Sequence, residues 1–289
     1  MSNLKIKPIT NSDLALMAKF LTANLSAQFS ADEWEFAFSQ DWSSNKPNNG
    51  FMLLDGEQVV GVVGAIYSQQ IVNGKKVDVC NINSWTVLPQ YRSDSIYLLI
   101  KTIRQPGFHF TILTPRLQEM EIYRFLKFRT IVTRMIVTAN LPWPFARLRG
   151  VRTITDIGAL QQMLSLKDAR VHREHTSSPW LKHIAVGVEG ELCYVIYQRV
   201  KLKGLPTAAI LYVSDSALFD KYRLALGHAL LGRGALFMRL ESRFNTNKPK
   251  LSLLQNYSTP TLVLSDLLKD SDVQNIYSER AALNLDGVT

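Results

Sequence analysis

Apolar and polar residues alternate at the start of the chain, Leu4 and Ile6 against Lys5 and Lys7, the period-two mark of a half-buried strand. Asn11-Ser12-Asp13 offers capping side chains for a helix whose apolar positions are Leu14, Met17, Leu21 and Leu25. A second helix fits Ala31 to Trp42, with Trp34 and Phe38 on one face. Three strands then read as a meander: Phe51 to Leu54, Val59 to Tyr67 and Val77 to Leu88. Asp55-Gly56 and Asn73-Gly74 join them, and such pairs accept the positive φ of tight hairpin turns. Past Pro89 a short polar loop precedes an apolar run from Ile96 to Ile103, which predicts a helix from Ser95. A strand at Phe110 to Leu113, a helix from about Arg116 to Lys127 and a closing strand at Ile131 to Val137 complete this stretch.

Leu141-Pro142-Trp143-Pro144 breaks the pattern, because two prolines within three residues stop regular pairing. The sequence therefore divides into a first domain over 1–140, a Pro-rich linker over 141–150 and a second α+β domain over 151–289. In the second half, helices fit Thr155 to Leu166 and Lys167 to His175. Strands fit Ile184 to Val188, Leu192 to Val200 and Thr207 to Val213, with turns at Glu189-Gly190 and Lys203-Gly204, and a helix follows from Ser216 to Leu231. The order of elements repeats while residue identity does not, so two copies of one fold and an unrelated α+β domain both remain open. Beyond Lys248, only Thr261 to Leu264 reads as a strand.

Composition narrows the class. Hydrophobic residues make up 46% and charged residues 20%, which supports a packed core. No apolar run approaches the ~20 residues of a membrane-spanning helix. The N-terminus lacks the continuous apolar core of a secretion signal. Cys80 and Cys193 lie in apolar strand-like runs and read as reduced, buried thiols, so a cytoplasmic setting is expected. The net charge of +9 favours anionic partners, yet no run of five basic residues exists. A solvated basic surface explains the charge equally well, and no nucleic-acid recognition motif stands out. His172, His175 and His183 cluster with Glu174 at a spacing seen in metal sites. No further ligand set accompanies them, so a capped helix surface or polar loop is the simpler reading and no metal is expected. With Trp180 they are also candidates to shape an acceptor pocket. No Ser-His-Asp or Cys-His nucleophile arrangement and no Gly-x4-Gly-Lys-Ser/Thr loop occurs.

The junction at Val87-Leu88-Pro89-Gln90-Tyr91-Arg92-Ser93-Asp94-Ser95 carries the most information. A strand, a turn and a helix start in succession present backbone N–H groups suited to a phosphate. The first half resembles the GNAT superfamily of acyl-CoA-dependent N-acyltransferases. That family's pyrophosphate loop reads Gln/Arg-x-x-Gly-x-Gly/Ala directly after a strand ending in Val-x-Pro. Here it reads Gln90-Tyr91-Arg92-Ser93-Asp94-Ser95. The family's Tyr-x-x-Leu-Gly-Phe stands as Tyr123-Arg124-Phe125-Leu126-Lys127-Phe128. Both loop glycines are serines, Asp94 adds a negative charge that also suits a helix cap, and Lys127 replaces a glycine.

The resemblance implies a mixed, mainly antiparallel sheet flanked by helices; element order extends this to two such units in tandem, and if the halves are copies the second has lost its cofactor site. It implies acetyl-CoA or another acyl-CoA as co-substrate and an amine-bearing acceptor, anionic if the positive charge has a role. By the same resemblance Thr86, Val87 and Leu88 would pair with the pantetheine arm. The amides of Arg92, Ser93, Asp94 and Ser95, with Gln90, would hold the pyrophosphate. Tyr123 would act as general acid beside the sulfur, a task that suits a phenol with an ordinary pKa near ~10. Asn83 and Ser84 would position a water, since the central strand offers no side chain with a useful base. A catalytically inactive relative that binds acyl-CoA or an anionic partner as a scaffold or sensor is the alternative.

Overall fold

The computed structural model describes residues 4–142, 150–244, 252–256 and 259–285. The expected linker falls mainly on residues 143–149, outside the described residues. Fourteen strands appear among the described residues. In chain order they are β1 (Leu4–Pro8), β2 (Gly50–Asp55), β3 (Gln58–Val72), β4 (Lys75–Val87), β5 (His109–Ile112), β6 (Arg129–Ile131), β7 (Arg134–Ala139), β8 (Arg152–Ile154), β9 (Leu181–Val188), β10 (Glu191–Leu202), β11 (Leu205–Val213), β12 (Phe237–Glu241), β13 (Ser252–Asn256) and β14 (Thr261–Leu264). The helices are α1 (Leu14–Asn24), α2 (Ala31–Ser39), α3 (Ser95–Ile103), α4 (Met120–Phe125), α5 (Ile157–Met163), α6 (Leu166–His175), α7 (Ser216–Leu231) and α8 (Glu279–Ala282). The fold is α+β, with two mixed, mainly antiparallel seven-stranded sheets in tandem.

One compact unit comprises residues 1–131 and 259–283. Its sheet runs β1-β2-β3-β4-β5-β14-β6, antiparallel except for the parallel pair β4–β5. The meander forms where the hairpin dipeptides allow it: Asn73 and Gly74 both take positive φ (50° and 77°), as a twist-matched two-residue turn requires. Leu98 and Leu99 of α3 pack with Cys80, Ile82, Phe110 and Tyr123 in one buried cluster. Ser30 caps α2 through a reciprocal bond with Glu33, as a capping box does.

The second unit comprises residues 132–258 and 284–289. Its sheet runs β8-β9-β10-β11-β12-β7-β13, again antiparallel except for one parallel pair, β11–β12. Phe219, Leu226 and Leu230 of α7 pack on Val195, Tyr197 and Ile210.

The two strand orders correspond, and each sheet takes its penultimate strand from the opposite half of the sequence. The closing strand expected at Ile131 to Val137 is therefore corrected. It is two strands, β6 in the first sheet and β7 in the second, parted at Val132-Thr133. Alternation shows that a segment is a strand, but its partner is chosen by hydrogen-bonding and burial that no local pattern records. The boundary at 140 moves for the same reason, and β14 returns to the first unit. The C-terminal segment that had no assigned place is also core: Ile276, Ala281, Ala282 and Leu283 are buried, and Arg280 donates to Leu113 O at 2.9 Å.

Candidate active site

The site begins with one extra residue in β4. Asn83 pairs with Gly64 and Thr86 with Val62, so Val63 faces both Ser84 and Trp85. Ser84 takes φ +52°, the left-handed region that costs a non-glycine about 1 kcal/mol, and forms a β-bulge. The bulge changes the strand's phase: Cys80 and Ile82 before it, and Trp85 and Val87 after it, join the same hydrophobic cluster. It also marks where β4 leaves its neighbour. β4 pairs with β5 only through Val79, Cys80 and Asn81, while it stays paired with β3 as far as Val87.

A cavity of about 440 Å³ lies where the strands part. The end of β4, Trp85 to Pro89, forms one wall. Arg92 and Ser95 stand beyond it, Arg116, Gln118, Glu119 and Ile122 close the other side, and Asn24 completes the rim. Trp85 is fixed by an indole N–H donated to Ser95 O at 3.2 Å and by edge contact with the Tyr123 ring.

The loop expected after Pro89 is a 3-10 helix over Pro89–Asp94 that runs straight into α3. Its amides are thereby partly used: Tyr91 N donates to Leu88 O, and Ser95 N to Arg92 O. Asp94 does not cap α3, because it already has helical dihedrals, and its carboxylate accepts from Ser93 Oγ instead.

Tyr123 is buried on α4, 3% exposed, and its hydroxyl donates to Glu119 Oε2 at 2.9 Å. Glu119 lines the cavity, with Arg116 Nη1 3.8 Å from its Oε1. Burial pushes the Tyr123 phenol well above the ordinary tyrosine range, and the negative Glu119 adds to this. Burial also raises the Glu119 carboxyl, against the opposing pull of the Tyr123 hydrogen bond and the Arg116 charge.

No protein-family model matches the sequence, and no curated protein matches it. Solved structures do match. A GCN5-related N-acetyltransferase from Anabaena variabilis aligns over 90% of this chain and 72% of its own, with a TM-score of 0.64 at 13% identity. Another from Kribbella flavida aligns over 91% of this chain and 71% of its own, with a TM-score of 0.56 at 14% identity. Eis1 from Mycobacterium abscessus aligns over 90% and 72%, with a TM-score of 0.50 at 11% identity. The fold is that of the GCN5-related N-acetyltransferases. At such identities the likeness is one of backbone architecture.

Within this GCN5-related fold, the structure gathers only part of the residues singled out from sequence. Thr86, Val87, Leu88, Arg92 and Ser95 line the cavity, whereas Gln90, Ser93 and Asp94 do not. Tyr123 reaches it only through Glu119. Asn83 is buried behind the bulge, its amide bonded to Asn81 and its Oδ1 accepting from Ser84 Oγ at 2.9 Å. Sequence reading missed Trp85, Arg116, Gln118 and Glu119. Glu119 was detectable, since it lies four residues before Tyr123 and so shares its helical face.

The second unit differs at the matching junction. β11 passes through Ser214 directly to Asp215, which caps α7 by accepting from Leu218 N at 2.8 Å. The histidines do not form a polar surface. His172 and His175 are fully buried, and His183 Nδ1 is 2.7 Å from the Tyr194 hydroxyl. They belong to the core because α6 turns that face onto β9 and β10, which the residue types alone do not reveal.

Proposed function

We propose that the chain is an acyl-CoA-dependent N-acyltransferase that moves an acetyl or other acyl group to an amine of a small or protein acceptor. One observation carries this reading: a cavity with two guanidinium groups and a phenol–carboxylate pair opens where parallel β4 and β5 diverge. The residues fit such a co-substrate. Beyond Asn81, β4 has lost its β5 partner, and Thr86 to Leu88 offer a backbone edge to an extended amide-bearing arm, as β-augmentation does. Arg92 and Arg116 suit phosphate oxygens through their planar fork of donors. Acyl-CoA, when bound, supplies the acyl group in activated thioester form. Tyr123 keeps its proton at neutral pH and is the acid for the departing sulfur. Glu119 lines the cavity and holds that hydroxyl in place; its raised pKa suits it to take the proton that the attacking amine loses and pass it to the Tyr123 oxygen, which has given its own proton to the departing sulfur. The bonded Ser84–Asn83 pair at the bulge, which does not itself line the cavity, is proposed to position a water. The free, buried Cys80 and Cys193 suit a reducing, cytoplasmic setting, and the charge of +9 favours an anionic acceptor.

A second reading has its own support. The Ser95 amide is spent inside the helical turn, Asp94 sits at its end, and Tyr123 is sequestered with Glu119. These features favour a non-catalytic binder of acyl-CoA. Calorimetry with CoA and acetyl-CoA, followed by thiol release over an amine panel, separates the two. Binding with thiol release supports the enzyme, binding without release on every amine supports the scaffold, and no binding removes both.

A further inference from the structure

A second cavity, of about 470 Å³, opens in the first unit at the other end of α1. Thr10 and Asn11 before α1 line it, whereas Asn24 at the end of α1 lines the acyl cavity. The 11 residues of α1 separate the two by ~16 Å. The wall is the segment between α2 and β2, and its lining is polar except for the Pro47 ring. Two residues in it carry opposite charge. Lys46 Nζ donates to Phe38 O at 2.7 Å and to Gln40 O at 3.2 Å, which leaves a third proton. Burial pushes the Lys46 ammonium below the usual lysine range, and Asp41 is the charge that opposes this. A half-buried cation with a spare donor gains from an anionic oxygen. Asp41 and Ser44 are both exposed in this lining. Behind these charges Ser43, Asn48 and Asn49 are buried, and Asn49 Oδ1 has no hydrogen-bond partner.

We propose that this cavity is a binding site for a small zwitterion of the α-amino-acid class, its carboxylate on Lys46 and its ammonium on Asp41. No arginine fork is present for a phosphate and no aromatic ring lines the wall for a sugar. The site is independent of the acyltransferase reading, because none of its lining residues belongs to the acyl cavity.

The test is calorimetry on the full chain with L-alanine, L-serine and L-glutamine, and with acetate and ethylammonium as half-ligands. At least one amino acid is expected to bind saturably, and neither half-ligand to match it. Asp41→Asn and Lys46→Met are each expected to weaken binding by ~10-fold or more, the factor that follows from losing one charge-assisted contact of about 1.4 kcal/mol. Asp41 is exposed, so Asp41→Asn keeps the fold even if Lys46→Met does not. CoA binding to Asp41→Asn is expected to equal that of the wild type. Absence of saturable binding by all three amino acids overturns the proposal. So does equal binding by wild type and Asp41→Asn, or acetate binding as tightly as the amino acids.

Discussion

The buried histidines of the second unit make its stability depend on acid. His183 lies on β9, its ring stacked on Tyr194 at 15° and in edge contact with His172 at 5.0 Å. Burial pushes its pKa from 6.5 down to about 3, and the charges that His172, His175 and Lys182 would carry push the same way. The pKa of His172 is lowered by burial too. The folded pKa is depressed, so the unfolded chain takes up a proton below 6.5 while the folded chain does not. Stability is therefore complete above 6.5 and is lost progressively as pH falls toward 3. For His183 alone the loss between about pH 7 and about pH 5 is ~2 kcal/mol, at 1.36 kcal/mol per pH unit once the unfolded group is protonated. By about pH 3 it reaches at most ~5 kcal/mol. Urea unfolding of wild type and His183→Gln, followed by circular dichroism at both pH values, measures the difference. The glutamine has no charge to acquire and can still reach the Tyr194 hydroxyl. The wild type is expected to lose ~2 kcal/mol more than the variant over that interval. Equal losses would show that His183 is hydrated and titrates normally in the folded state, and the reasoning would be refuted.

Tyr123→Phe is expected to slow thiol release by ~100-fold or more, the usual worth of a positioned general acid, with CoA affinity unchanged in calorimetry. Arg92→Ala is expected to weaken CoA binding by ~10-fold, the lower end for a hydrogen bond to a charged group, because Arg92 is exposed. Lys127 is exposed and held at φ +67°, where glycine has no Cβ penalty, so Lys127→Gly is expected to raise unfolding stability by up to ~1 kcal/mol. Gly64→Ala would place a Cβ 2.5 Å from the Phe38 ring and 2.9 Å from Asn83 Oδ1. It is expected to cost ~1–3 kcal/mol in urea unfolding through overpacking beside the bulge.

The hairpin turns, the meander and α7 were legible because each is set by contacts within a few residues. Asn73-Gly74 and Lys203-Gly204 fix two-residue turns, and α7 spans the same residues, Ser216–Leu231, that its pattern predicts. One wall of the cavity beside β4 was legible for a similar reason, since Thr86, Val87, Leu88, Arg92 and Ser95 sit together on one strand–turn–helix junction. Glu119 and Arg116 were missed because they reach the cavity from across the β4–β5 gap.

The amino-acid sequence by itself determined the meander, the tight hairpin turns and α7, since periodicity and φ preferences act locally, but not the short strands β8, β12 and β13 or the helical turn at Pro89–Asp94. Only the tertiary structure decided which sheet each strand joins. β7 and β14 carry the same run of strand-forming residues wherever they pair, and their exchange between halves depends on burial against distant strands. It also decided that Tyr123 donates to Glu119, that His172 lies in the core, and that β4 breaks from β5 after Asn81. Those outcomes depend on desolvation and on neighbours far along the chain, and neither is encoded in the residues beside them.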